Sequence, residues 1–278
     1  MPVTVSAVAR PGYRFRRWGG DLAGVFSVGQ LTMSGPRSII AALDRIPYIA
    51  PAGVKNAAGD TPDGTVAPGS IIAIYGESLA PQLQVGPTNP LAQTIADVVV
   101  TVGDRILPLL FVSPQQINAQ VLSDLPDGEY TLTVRWTGKP DVTGEFAVSR
   151  NAPGLFSSGT DPQPYSVAAH EDGTPVTAAS PAVKGELLTI FGTGFGPYNQ
   201  KIIDGFNVPV SANVALVDPL EVDAGGTALQ PVWSGGAPGM VGTAVTRFRL
   251  GDDTPSSSLQ IRVKVNGKLS NPVILPVQ

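Results

Sequence analysis

One block of sequence recurs, and that recurrence constrains the fold more than any other feature. IIAIYGESLAP at residues 71–81 returns as LLTIFGTGFGP at residues 187–197. Val66-Ala67-Pro68-Gly69-Ser70 leads into the first copy and Val183-Lys184-Gly185-Glu186 into the second. VVVTVGDRILPLLFVSPQQINAQV, from Val98, aligns with LEVDAGGTALQPVWSGGAPGMVGTAV, from Leu220. GEYTLTVRWTGKPDVTGEFAV closes the first copy and SSLQIRVKVNGKLSNPVILPV the second. The blocks keep their order about 120 residues apart, as one fold laid down twice would.

The repeated blocks read as strands. They are short, β-branched and often alternating, as in Val98-Val99-Val100-Thr101-Val102 and Leu259-Gln260-Ile261-Arg262-Val263. Turn residues bound them, and in Pro126-Asp127-Gly128 and Asn266-Gly267 the glycine supplies positive φ. Six or seven such strands in about 85–100 residues suit an Ig-like sandwich. Helix signals are nearly absent: the best candidate, residues 36–45, reads equally well as a strand. The 32 Gly and 27 Pro lie between apolar runs, as in turn-dense all-β proteins, and stay below the low-complexity range. Hydrophobic residues, at 42%, suffice for real cores.

The expected fold class is therefore all-β: tandem Ig-like β-sandwiches with a small N-terminal β-rich repeat. The expected divisions are a β module at 1–46, a linker at 47–65, sandwich one at 66–150, a connecting segment at 151–180 and sandwich two at 181–278. Within the connecting segment, Asp161-Pro162-Gln163-Pro164 is irregular, and Tyr165-Ser166-Val167-Ala168-Ala169 reads as an extra strand between the domains.

Charge narrows the partners. The net charge is −4, and the one arginine cluster, Arg14, Arg16 and Arg17, is too short for a nucleic-acid stripe. No run of apolar residues is long enough to insert in a membrane. The chain has no cysteine, which removes disulfides, thiolate metal sites and cysteine nucleophiles. Met1-Pro2-Val3 enters a strand pattern directly, with no secretory leader, and reads as the boundary of a segment cut from a longer protein.

Few residues propose chemistry. The single histidine, His170, stands in Ala-His-Glu-Asp-Gly without a nucleophile elbow or a His-Glu-x-x-His pair, and reads as a surface-loop histidine, with metal binding through His170, Glu171 and Asp172 as the alternative. Gly192-Thr193-Gly194-Phe195-Gly196 looks like a dinucleotide loop, but Pro197 follows where a helix should begin, so it reads as a turn. The acidic loops at 60–63 and at Asp252 and Asp253 read as solvated turns. Calcium is the alternative cofactor, although it needs about six to eight oxygens and the spacing matches no EF-hand or RTX pattern. Trp18 and Trp233 read as core. Trp136, beside the turn Thr137-Gly138-Lys139, is the aromatic to test as a sugar-stacking platform, against packing on a neighbouring domain. Gln115, Gln116 and Asn118 form a polar stretch between two strands, which either binds a ligand or satisfies local backbone. Lys184, Lys264 and Lys268 are available for a Lys–Asn isopeptide bond, but nothing in their spacing selects one.

Two resemblances bear on the whole. The blocks Asn56-Ala57-Ala58, VAPGSIIAIYGESLA, LFVSPQQINAQV, NAPGLF, GTGFGP, GGAPGMVG and SNPVILPV resemble, over residues 54–278, a family of uncharacterised C-terminal domains in Solibacter-like acidobacterial exported proteins. IAIYGESLA also looks like the opening of TIG-type Ig domains. Gly12, Tyr13, Phe15, Trp18 and Gly20, within residues 2–46, resemble the internalin-type B-repeat of bacterial surface proteins. The resemblances imply a location outside the cell, at the C-terminal end of a longer protein, with no established activity. The expected function is a non-catalytic extracellular structural or adhesive module whose partners are a surface polymer, glycan or protein, the parent's upstream domains, or further copies of itself. The alternative is a carbohydrate-binding accessory of a secreted enzyme.

Overall fold

The computed structural model describes residues 1–159 and 164–278, and all its regular structure is β. The Asp161-Pro162-Gln163 stretch lies outside the described residues.

Two strand pairs make the N-terminal module: Pro2–Ser6 with Val28–Thr32, and Tyr13–Gly20 with Ile39–Arg45. The 36–45 segment, ambiguous in sequence, is thus a strand. Phe15 and Trp18 are three apart and would face opposite ways in a regular strand. An irregularity between Phe15 and Arg17 adds a residue, and their rings lie 5.2 Å apart. Trp18 is buried, and its Nε1 donates to the Phe26 carbonyl at 2.9 Å.

The first sandwich has two sheets. One runs Tyr48–Asn56, Ile71–Glu77, Gln116–Gln120, Leu109–Val112 and Gln84–Val85. The other runs Val142–Val148, Gly128–Arg135, Val99–Val102 and Arg105–Ile106. Ile72, Ile74 and Ile117 of the first pack on Val100, Leu132, Val134 and Phe146 of the second in one core. The stretch expected as linker, 47–65, instead opens with the nine-residue strand Tyr48–Asn56, paired to Ile71–Glu77. Pro51-Ala52-Gly53 hides it in sequence, because the pairing is irregular between Ile49 and Val54 and Ala52 sits at φ 51°. Ile49 and Val54 on either side are buried.

The second sandwich repeats this order. Leu187–Thr193, Ala244–Arg249 and Pro231–Gly236 stand as Ile71–Glu77, Gln116–Gln120 and Leu109–Val112 do. Val273–Pro276, Ser258–Val265, Leu220–Ala224 and Thr227–Leu229 match the other sheet strand for strand. The duplication in sequence is therefore a duplication of topology, and the chain is a tandem of Ig-like β-sandwiches.

The segment 151–180 is mostly part of sandwich two. Gly154–Leu155 pairs with the end of Leu187–Thr193, Tyr165 pairs parallel to Ile274, and Ala168–Ala169 pairs with Ile190 and Thr189. The extra strand expected between the domains thus exists, but it is split across the two sheets of the second.

Candidate functional site

The distinctive polar chemistry of this chain lies where the sandwiches meet. Thr193, fully buried at the end of its strand, accepts the Ile71 N–H at 3.0 Å and donates to the Gly242 carbonyl at 2.6 Å. Asn56 closes an Asx turn on the Ala58 N–H at 2.8 Å and donates across the seam to the Ala152 carbonyl at 2.9 Å. Gln120 donates to the Gly69 carbonyl at 3.2 Å and accepts the Gly205 N–H at 2.6 Å. Asn271 accepts the Leu155 N–H at 2.8 Å and also reaches the Ala58 carbonyl at 3.3 Å. Each amide or hydroxyl satisfies main-chain groups that burial would otherwise leave unpaired.

Glycines allow the close approach. A Cβ on Gly154 would sit 2.6 Å from Asn56 Oδ1, and one on Gly194, at φ +75°, would meet the Ala152 carbonyl. Except for Gly205, these residues come from the Asn56-Ala57-Ala58, VAPGSIIAIYGESLA, LFVSPQQINAQV, NAPGLF, GTGFGP, GGAPGMVG and SNPVILPV blocks. The blocks that look idiosyncratic in sequence are the parts of one interdomain seam.

At the rim, Arg150 holds Asp218 by two hydrogen bonds of 2.8 and 2.9 Å. This bond, with one from Asn151, keeps the Asp218 carboxyl below the usual carboxylate range. Lys268 reaches Asp63 at 2.6 Å and Ser149 at 2.8 Å. Burial alone would raise the Asp63 carboxyl, but bonds from Lys268 and Thr65 hold it low.

Beside the seam lies a cleft of about 690 Å³. The turn at 123–127 of sandwich one forms one wall, and the long connection after Gly196 forms the other. That connection straps back over sandwich one: Asp204 accepts the Ser123 N–H at 3.1 Å, and Gly205 accepts the Leu91 N–H at 2.7 Å. Tyr198 lines the cleft. Burial pushes its phenol above the ordinary tyrosine range.

The residues singled out in sequence lie elsewhere. Trp136 is half-buried on the core of sandwich one, donates Nε1 to the Ser78 carbonyl at 3.2 Å, and carries Lys139 Nζ 5.7 Å from its ring centroid. Lys139 in turn donates to the Arg45 carbonyl at 3.0 Å, tying this corner to the N-terminal module. Trp233, expected in the core, is only half-buried, and its Nε1 donates to Asn213 Oδ1 at 3.0 Å. It sits on the last strand of its sheet, beside the 213–216 segment that carries Asn213.

Gln116 and Asn118 bond each other at 2.8 Å on the outer sheet face, while Gln115 is exposed. The Ser113 hydroxyl accepts the N–H groups of both glutamines, a local turn closure. The amide that does bridge domains is Gln120, two residues beyond Asn118. Its strand neighbours Ile117 and Ala119 mark the inward face; Gly69 of its own sandwich accepts from Gln120, and the second sandwich supplies the Gly205 N–H that makes it a bridge.

Asp252 and Asp253 are exposed, and among the described residues no group of three or more potential ligands gathers to hold a metal. Asp60 pairs with Lys55 at 2.9 Å.

His170 is bound more tightly than a loop histidine. Its Nδ1 lies 2.6 Å from Glu186 Oε1, and its Nε2 lies 3.2 Å from the Ser180 carbonyl and 3.3 Å from the Ser180 hydroxyl. Burial would lower its pKa, but Glu186, the Ser180 carbonyl and Asp172 together outweigh burial and raise it. Nε2–H donates to the carbonyl when the ring is charged, and Nε2 accepts the hydroxyl when it is neutral. Glu186 Oε2 also accepts the Val183 N–H at 2.9 Å, so the group clasps the turn that leads into Leu187–Thr193. Ser180 and Glu186 were invisible to sequence reasoning because no motif spacing joins them to His170.

No protein-family model and no curated protein matches the chain, so the family resemblances rest on their blocks alone. Solved structures resemble it distantly. The SGBP-B protein of the Bacteroides ovatus mixed-linkage glucan utilization locus, in complex with a mixed-linkage heptasaccharide, aligns at 10% identity and TM-score 0.35, over 100% of this chain and 63% of that one. SGBP-B from a complex xyloglucan utilization locus of Bacteroides uniformis aligns at 13% and 0.26, over 83% of this chain and 49% of that one. The N-terminal Ig1-2 module of the Drosophila receptor protein tyrosine phosphatase DLAR aligns at 10% and 0.22, over 84% and 100%. The chain thus spans less than two thirds of the two bacterial proteins. At these scores the likenesses carry no argument about ligand or chemistry.

Proposed function

We propose that this chain is a non-catalytic extracellular module of an exported bacterial protein, which holds and presents a binding surface at a fixed geometry. The observation that carries the reading is the seam. Thr193, Asn56 and Gln120 spend buried polar groups on joining two sandwiches, an arrangement suited to a rigid body under load or in contact with a large partner. The family resemblances, both to exported proteins, support the location.

The test has two parts. The purified chain is expected to unfold in one cooperative transition, and to be depleted from solution by bacterial cells or by an insoluble polysaccharide. Two separated transitions would remove the argument from rigidity. Turnover of chromogenic esters, glycosides or peptides, abolished by Ser180→Ala, would replace the reading with an enzymatic one.

A second reading, a carbohydrate-binding accessory of a secreted enzyme, is favoured by the cleft at Tyr198. Depletion by one glycan and not by cells would select it.

A further inference from the structure

We propose that the cleft between the sandwiches binds a neutral, hydroxyl-rich chain, a stretch of polysaccharide, with Tyr198 as its central contact. The inference rests on the reading of the chain as an extracellular interaction module.

The cleft's volume, about 690 Å³, falls within the roughly 300–1,000 Å³ usual for ligand sites. Leu125, Pro126, Pro197 and Ile202 give it apolar walls. Within that frame lie polar groups whose bonding capacity the protein does not use. Tyr198 is half-buried, and its phenol hydroxyl has no hydrogen-bond partner among the described residues. Asn199 spends its carbonyl on the Ala215 N–H at 3.0 Å, which leaves its amide donors. Gln200 spends its amide on the Asn213 carbonyl at 3.1 Å, which leaves its acceptor.

Charge argues against an ionic ligand. Asp124 is paired with Arg105 at 2.7 Å, Arg150 is held by Asp218, and Asp204 accepts the Ser123 N–H. Asp204 keeps its charge, so with Asp127 and Lys201 the lining carries both signs and only a single net negative charge, with no concentrated patch of either sign. A sugar hydroxyl both donates and accepts, and the C–H face of a sugar ring packs against proline and tyrosine. A mixed set of donors and acceptors in an apolar frame matches that chemistry. The Gln120–Gly205 and Leu91–Gly205 bonds hold the strap in place, so little ordering is left for binding to do.

The test is affinity electrophoresis of the whole chain through gels of mixed-linkage β-glucan, xyloglucan, galactomannan and glycogen, with polygalacturonate and chitosan as charged controls. At least one neutral polymer is expected to retard the chain. Tyr198→Ala should weaken that retention about tenfold or more, and Asn199→Ala several-fold, the loss of one or two hydrogen bonds and a ring contact. Trp136→Ala should leave it unchanged. Tyr198→Phe, which keeps the ring, carries the test if Tyr198→Ala is unstable. No retention by any neutral polymer, retention by charged polymers alone, or retention insensitive to both Tyr198 and Asn199 would overturn the proposal. A chain that binds none of these polymers but unfolds as one unit loses the cleft assignment and keeps the module reading. Separated transitions remove the latter independently.

Discussion

Thr193 and Ile71 occupy the end of one repeat's first core strand and the start of the other's, and the Thr193 hydroxyl accepts the Ile71 N–H at 3.0 Å. Equivalent strands of the two copies are thereby joined head to tail through one side chain. Thr193→Val keeps the shape, removes both of its bonds and leaves a buried N–H unpaired. It should cost about 1–3 kcal/mol in denaturant unfolding, while Thr193→Ser should cost less. A valine variant as stable as the parent would show that the bond does not hold the seam.

Gly194 combines positive φ with a backbone approach that a Cβ would obstruct at the Ala152 carbonyl. Gly194→Ala is expected to destabilise by at least about 1–3 kcal/mol. Gly138→Ala shares the positive φ but has open space around it, so it should cost less. Thermal unfolding of the two variants side by side separates backbone strain from collision.

The raised pKa of His170 predicts a pH dependence. Its pairing with Glu186 contributes fully below the unfolded histidine value of about 6.5 and is lost as pH rises through the higher folded value. Stability should therefore fall over the window just above pH 6.5, and His170→Gln should flatten that slope. Thermal midpoints measured from pH 5.5 to 8.5 check both statements.

Trp136 packs on the core of sandwich one with its Nε1 bonded to Ser78. Trp136→Ala should lower stability by about 2–4 kcal/mol, near the low end of large-to-small core changes because the ring is only half-buried. Polysaccharide retention measured at a temperature where the variant stays folded should not change.

Local signals identified the strands and the repeat because alternation and turn chemistry are written within a few residues. The repeat alone paired Ile71–Glu77 with Leu187–Thr193 as equivalents. The same signals failed at Tyr48–Asn56, where Pro51-Ala52-Gly53 breaks the alternation and only pairing with Ile71–Glu77 reveals a strand. The candidate site was less legible. Trp136 and Gln116 stand out in sequence as an aromatic and an amide near turns, but the Ser78 carbonyl and the core take up the first and the Asn118 side chain the second.

By itself, then, the sequence determined an all-β chain with one fold laid down twice. Strand periodicity and glycine turns depend on neighbours along the chain. Only the tertiary structure decided that NAPGLF, GTGFGP and SNPVILPV meet in one seam, that Gln120 rather than Gln115 bridges the domains, and that Tyr198 faces a cleft. Those roles depend on partners far along the chain, such as Gly205, 85 residues from Gln120, and Thr193, 122 residues from Ile71, and chain folding alone brings them within hydrogen-bonding distance.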